Sequence, residues 1–169
     1  RLLSEEEGRR GMIQGFHHTG FTVSDLDAAE RFFVGLIGMQ RIGGGIYDFN
    51  YVRRSVGYPD ATLNIAVLAF SDHQADERVL ELIQYVHPAG DPTDTAKNRP
   101  GNAHVCFVVS DIEAEVERLQ AKGVAFTSPT PNEVTWGGNR GAKAIYFTGP
   151  DDIALELFEP APATPESSA

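Results

Sequence analysis

The chain has a single cysteine, Cys106, in 169 residues. No intramolecular disulfide can form, which leaves stability to the core and points to a reducing compartment, the cytoplasm. Positive charge is scarce. Fourteen Lys and Arg stand against 24 Asp and Glu, a formal net charge of −10. Binding nucleic-acid phosphates or an anionic membrane surface needs clustered basic side chains, so neither partner is expected. No apolar run reaches the length of a membrane-spanning helix, and no signal peptide is visible. The ends lack apolar periodicity. "RLLSEEEGRRG" is charged and glycine-broken, with Met12 behind it as an alternative start, and "APATPESSA" is rich in Pro, Ser and Ala. Residues 1–12 and 161–169 therefore read as flexible termini. The composition is 41% hydrophobic, enough for a globular core.

That apolar content is arranged twice in the same order. Residues 15–23 alternate as a strand. Ser24 reads as the N-cap of a helix whose apolar face is Ala28, Ala29, Phe32, Phe33 and Leu36, up to Gly38. Strands follow near 39–49, 61–70 and 78–87, with a loop through "VGYPD". The segment "AGDPTDTAKNRPGN", residues 89–102, is a linker by composition. The pattern then restarts. Residues 103–109 form a strand, Asp111–Lys122 an amphipathic helix closed by Gly123, and strands are expected near 124–128, 142–148 and 153–159. The expected architecture is α+β: two βαβββ modules, 13–88 and 103–160, forming a cupped mixed sheet.

Polar residues recur in register within this repeat. "HHTGFTVSD" and "HVCFVVSD" each place a histidine, His18 and His104, six residues before a serine and seven before an aspartate. "VLELIQY" and "ALELFEP" each hold a glutamate, Glu81 and Glu156, between two leucines. A lone carboxylate in an apolar strand is costly unless it has a partner. Side chains alternate across a strand, so parity assigns the faces. His104 goes with Cys106 and Val108, opposite the apolar Val105 and Phe107. Glu81 goes with Val79, Ile83 and Tyr85, and Glu156 with Ala154 and Phe158. His18 is taken as the ligand because His17 falls on the helix-covered side. Each residue alone could be an ordinary strand residue, but the double occurrence favours a common purpose. His18, Glu81, His104 and Glu156 make an N2O2 set that balances a divalent cation such as Zn, Ni, Co, Fe or Mn and leaves positions open.

The motifs "HTGFTVSDLDAAERFF", "LELIQY", "HVCFVVSDI" and "LELFEP" resemble the vicinal oxygen chelate superfamily. Its members include glyoxalase I, methylmalonyl-CoA epimerase, extradiol dioxygenases and fosfomycin and bleomycin resistance proteins. The likeness covers residues 13–160. It implies one divalent metal per site, held by His18, Glu81, His104 and Glu156, a small-molecule substrate, and often a homodimer. Glu81 in the first-module carboxylate position is more similar to bacterial glyoxalase I than to the two-histidine, one-carboxylate triad of the dioxygenases. The implied activity is a glyoxalase-like isomerase, lyase or epimerase working through a metal-stabilised enolate, with Glu156 or Glu81 moving the proton. An extradiol-type dioxygenase and a non-catalytic drug-binding protein are the alternatives.

Further substrate-side candidates follow from position. Tyr85 and Cys106 share faces with ligands, and Asn64 is polar within an apolar strand. Tyr146 lies in the strand before Glu156. Arg53, with Arg54 and Tyr58, belongs to the long loop of the first module. Trp136 and Arg140, with Asn139, belong to that of the second. Loops on rigid scaffolds carry specificity. "GGG" at 43–45 and "GGN" at 137–139 lack the strand-to-helix setting of a phosphate loop and read as turns. His73 and His87 receive no role.

Overall fold

The structure, a computed structural model, describes residues 15–70 and 78–163. Residues 1–14 and 164–169, which hold nearly all of both terminal segments, and His73 lie outside that range. The first module runs β1 (His18–Thr22), α1 (Leu26–Phe32), β2 (Gln40–Tyr47), α2 (Asn50–Val56), β3 (Thr62–Ala69) and β4 (Val79–His87). The second runs β5 (His104–Val108), α3 (Ile112–Gln120), β6 (Asn132–Glu133), β7 (Lys143–Thr148) and β8 (Ala154–Glu159). Each module is a four-stranded mixed sheet, ordered β1-β4-β3-β2 and β5-β8-β7-β6. In each, the first strand runs parallel to the last, and the other pairings are antiparallel. The sheets are separate and neither closes into a barrel. Among the described residues no helix is long and apolar enough to cross a membrane.

The helix after each first strand starts on an aspartate. Asp25 accepts from the Ala28 amide at 3.0 Å and Asp111 from the Ala114 amide at 2.9 Å. These carboxylates satisfy amides that the first helical turn leaves without partners. Ser24, expected as the cap, is used elsewhere. Its amide and hydroxyl both donate to Asp151, at 2.9 and 2.5 Å, joining the two modules. The buried stripe is Leu26 and Ala29 of α1 with Phe33 just beyond it, while Ala28 faces solvent. After Phe32 the helix widens into a π-turn, Phe33–Ile37, which ends on Gly38 at φ +86°. That left-handed conformation suits glycine.

Two expected boundaries change. The strand near 124–128 is only a single bridge, Phe126 to Phe147, and the short fourth strand is Asn132–Glu133. The intervening "SPTP" explains this, because prolines 129 and 131 have no amide to donate to a ladder. The stretch beyond Tyr47 is neither strand nor loop but the helix α2, closed by Gly57 at φ +79°.

One hydrophobic core serves both modules. Leu26, Ala29, Phe33, Leu80 and Leu82 from the first pack in one cluster with Ile112, Leu119, Phe147, Leu155 and Leu157 from the second. The helix-covered faces of the two sheets thus meet across α1 and α3. Arg118 Nη2 donates to the Leu36 carbonyl at 2.6 Å and Phe70 packs edge-on to Phe107 across the same boundary. The opposite face of each sheet therefore looks away from the core. A smaller cluster lies on that outer face of the first sheet: Val52, Ala61 and Leu63 are buried, with Tyr47, Ile65, Ile83 and Tyr85 against them.

Candidate functional site

On the outer face of the first sheet, β1 and β4 are adjacent and parallel, with Gly20 opposite Glu81. This brings His18 Nε2 to 3.6 Å from Glu81 Oε2. The other ring nitrogen of His18 lies 2.9 Å from His17 Nδ1, and the two rings meet edge to face. On the outer face of the second sheet, Cys106 of β5 and Tyr146 of β7 flank Glu156 of β8. His104 Nε2 lies 3.1 Å from Glu156 Oε2 and 3.0 Å from the Tyr146 hydroxyl. Both histidine side chains are over 40% exposed, whereas Glu81 and Glu156 are 21% and 15% exposed. The carboxylates are set down into the sheets and the imidazoles stand above them. This is the consequence of a central strand carrying each glutamate and an edge strand carrying each histidine.

The four residues come together as two pairs rather than as one group. Among the described residues, the one set of three or more His, Cys, Asp or Glu ligand atoms within 4.8 Å of one another is Asp111, Glu113 and Glu159. That set has internal partners. Glu159 accepts from the Ile112 amide at 2.7 Å, and Lys143 donates to Glu113 at 2.7 Å. It closes the start of α3 and belongs to the fold. The separation of the two His–Glu pairs follows from the shared core, which turns their faces in different directions.

Electrostatics distinguishes the surroundings of Glu156. Burial, together with the charge of Glu156, pushes the Cys106 thiol up to about 11. A thiol so placed stays protonated at neutral pH and is a poor nucleophile. Burial and then Glu156 also raise the Tyr146 hydroxyl above its ordinary value, so it remains a hydrogen-bond donor.

The remaining sequence candidates divide. Tyr146 and Cys106 sit directly beside the second pair. Tyr85 is on the Glu81 face, stacked edge-on against Tyr58 with ring centres 5.8 Å apart. Asn64 lies on the other face. It is opposite Gln84 in the ladder, among the even-numbered positions with Ala66 and Leu68. Parity excludes it from the Glu81 side. Arg53 donates from Nε to the Ala61 carbonyl at 3.1 Å, and it lines a cleft with Asn50, Arg54 and Pro59. Trp136 is 87% exposed, in the turn between β6 and β7 that also carries Arg140. His87 pairs with Asp60 at 2.9 Å on the surface. Sequence reading missed the apolar wall under α2, because "NYVRRSVG" carries no helical periodicity longer than two turns. It also missed that Lys97, inside the linker, lies over the Tyr146 ring.

Comparison with known proteins agrees with this architecture. The family described as the Glyoxalase/Bleomycin resistance protein/Dioxygenase superfamily matches residues 17–146. A 2-epi-5-epi-valiolone epimerase from Actinomyces is 29% identical over 150 residues, covering 84% of this chain and 77% of its own. A lactoylglutathione lyase from Pseudomonas aeruginosa is 28% identical over 156 residues, covering 85% of this chain and 81% of its own. A glyoxalase family protein from Bacillus cereus superposes with a TM-score of 0.74 at 25% identity, covering 91% and 99% of the two chains. With the repeat, the topology and the paired His–Glu strands in place, the chain belongs to the Glyoxalase/Bleomycin resistance protein/Dioxygenase superfamily, the vicinal oxygen chelate fold.

Proposed function

We propose that this chain is a metal-dependent isomerase, most simply an epimerase, acting on a small oxygenated metabolite. Its site would form between two copies in a homodimer. The observation that carries this reading is the outward-facing arrangement of two His–Glu pairs. Each pair offers one imidazole nitrogen and one carboxylate oxygen, half of a four-donor set for a divalent ion. A twofold dimer can face His18 and Glu81 of one copy with His104 and Glu156 of the other, and it does so twice. The donor chemistry fits Zn, Ni, Co, Fe or Mn. The partly exposed imidazoles and the glutamates at the sheet surface are free to turn toward an ion. The epimerase and lyase names of the two relatives support an enzyme over a binding protein.

A divalent ion held there supplies Lewis acidity to adjacent substrate oxygens. The protein's own residues do the rest. Glu156 or Glu81 removes the proton next to the substrate carbonyl, and return of a proton to the opposite face inverts the centre. Tyr146, held protonated beside His104, would donate a hydrogen bond from its hydroxyl to a developing oxyanion once the His104 ring turns toward an ion. Ile65, Ile83 and Tyr85 form an apolar floor beside Glu81 that limits water.

Elemental mass spectrometry of the purified protein tests the reading, with wild type beside Glu81→Gln and His104→Ala. About one divalent metal per chain, lost in His104→Ala, is expected. Bound iron or manganese with oxygen-dependent turnover would favour a ring-cleaving dioxygenase instead. A wild type that takes up no metal would sink the chemistry. Mixing H18A/E81Q with H104A/E156Q tests the shared site. Each variant alone is dead, while random re-pairing restores about a quarter of the sites. No restoration would place each site within a single chain.

A further inference from the structure

We propose that Lys97, carried by the linker between the modules, is a specificity residue that selects substrates bearing an anionic group, a carboxylate or a phosphate. This rests on the metal-site reading above and adds the charge class of the substrate. The linker was expected to do no more than connect. Instead residues 96–101 form a turn closed by its own flanking residues, Asp94 and Asn102. Asp94 accepts from the Ala96 amide at 3.0 Å and from Arg99 Nε at 2.7 Å. Asn102 Nδ2 donates to the carbonyls of Asp94 and Ala96 at 3.0 and 2.9 Å. The Arg99 amide closes the turn on the Ala96 carbonyl at 2.9 Å. These bonds lie within the linker, between Asp94 and Asn102, and give the turn that carries Lys97 a defined shape.

What it holds is an ammonium 5.9 Å from the centre of the Tyr146 ring. That ring lies 5.0 Å from the ring of His104, and its hydroxyl is bonded to His104 Nε2. Lys97 therefore stands at the rim of the second His–Glu pair. The charge count gives it a purpose. Two neutral imidazoles, two carboxylates and a dication sum to zero, so a nearby ammonium is not needed to balance the occupied centre. The chain as a whole carries −10 and repels anions. A cation beside the site offsets that repulsion for a substrate whose oxygens enter there and whose anionic group reaches the rim. An ammonium suits this because it is a compact point charge on a flexible stem.

The test uses three probes with the same hydroxyketone unit: neutral dihydroxyacetone, the carboxylate hydroxypyruvate, and dihydroxyacetone phosphate. Each is titrated by calorimetry into the cobalt-loaded full chain, with metal content measured beforehand. The wild type is expected to bind at least one anion about fivefold more tightly than the neutral probe, as one charge pair at a partly exposed site provides. Lys97→Gln should erase that preference and leave dihydroxyacetone binding unchanged, and Lys97→Arg should keep it. The anion preferred identifies the group, carboxylate or phosphate. Equal binding of all three probes by the wild type, no binding of any, or a preference that survives Lys97→Gln overturns the assignment. In the last case Lys97 merely rests on the Tyr146 ring. A protein that carries no metal fails at the earlier measurement, which identifies the metal reading as the one at fault.

Discussion

The two modules share a chain order and a His–Glu pair but not the surroundings of that pair. In the first, α2 folds back over the outer face and builds an apolar cluster of Val52, Ala61 and Leu63 against Ile83 and Tyr85. In the second, the corresponding connection, between β6 and β7, is a glycine-rich turn with no helix. Its outer face is polar, with Tyr146, Cys106 and Glu156 side by side and Lys97 at the rim. Repetition therefore preserves what the sheet must do and frees the connections to differ. The helix-covered faces are constrained because both enter one core. The outer faces are constrained only at the strand positions that carry His and Glu. In the shared site proposed above, one side would be an apolar wall and the other would carry hydrogen-bond donors and a cation. That asymmetry is suited to a substrate with two chemically distinct ends.

Substitutions at four positions break or sharpen this contrast. The largest effect belongs to the core that the modules share. Phe33→Ala removes a fully buried ring and should cost about 3–5 kcal/mol. Because residues of both modules pack in the same cluster, urea unfolding should remain one transition with a lower midpoint. Two separated transitions would show that the modules fold independently. Next comes the wall peculiar to the first module. Val52→Ala should cost about 1–2 kcal/mol and leave metal content unchanged, a pairing that equilibrium unfolding beside elemental analysis would read. Lost metal would mean that α2 positions Glu81 rather than lining the site.

The third concerns the inter-module bridge. Asp151→Ala removes the acceptor of both Ser24 bonds and should cost about 1 kcal/mol, seen as a lower denaturation midpoint. Asp151 has φ +51°, a conformation that Asn adopts more readily than Ala. Asp151→Asn, which also keeps one acceptor oxygen, should therefore retain more stability than Asp151→Ala, and equal losses would place the whole effect in the two-oxygen carboxylate. The smallest effect is at the start of α3. Lys143 holds the Glu113 carboxyl below its ordinary value mainly by a hydrogen bond. A depressed carboxyl stabilises the fold above its unfolded pKa, and this contribution fades as pH falls through the folded value. Glu113→Gln should thus cost less in a thermal melt at pH 3 than at neutral pH, where the loss is itself slight because the pair is exposed. A larger loss at pH 3 than at pH 7 would reverse the sign and remove Lys143 as the cause.

The repeat, its strand order of function and the His–Glu register were legible because they rest on local periodicity. Alternation in "HVCFVVSD" and the glutamate between leucines in "ALELFEP" each fix a face without knowledge of any neighbour. Where the chain departs from strong periodicity, the reading stopped. α2 is only Asn50–Val56, too short to show an amphipathic stripe. The expected strand near 124–128 had the right composition, but the prolines behind it limit the ladder to one bridge. Asn64 was chosen for its polarity, and only the pairing with Gln84 shows which face it occupies.

The sequence by itself determined two βαβββ modules, their helix-covered faces and the strand that carries each histidine and glutamate, since side-chain alternation and capping act over a few residues. Only the tertiary structure decided that the two covered faces merge into one core and turn the His–Glu pairs outward as two separate pairs. The burial of apolar surface is non-directional, so an amphipathic sheet states which face must be hidden but not against what. The same reason kept Lys97 out of sight until the linker's hydrogen bonds laid it over Tyr146. A polar turn has no periodicity to announce where its side chains end up.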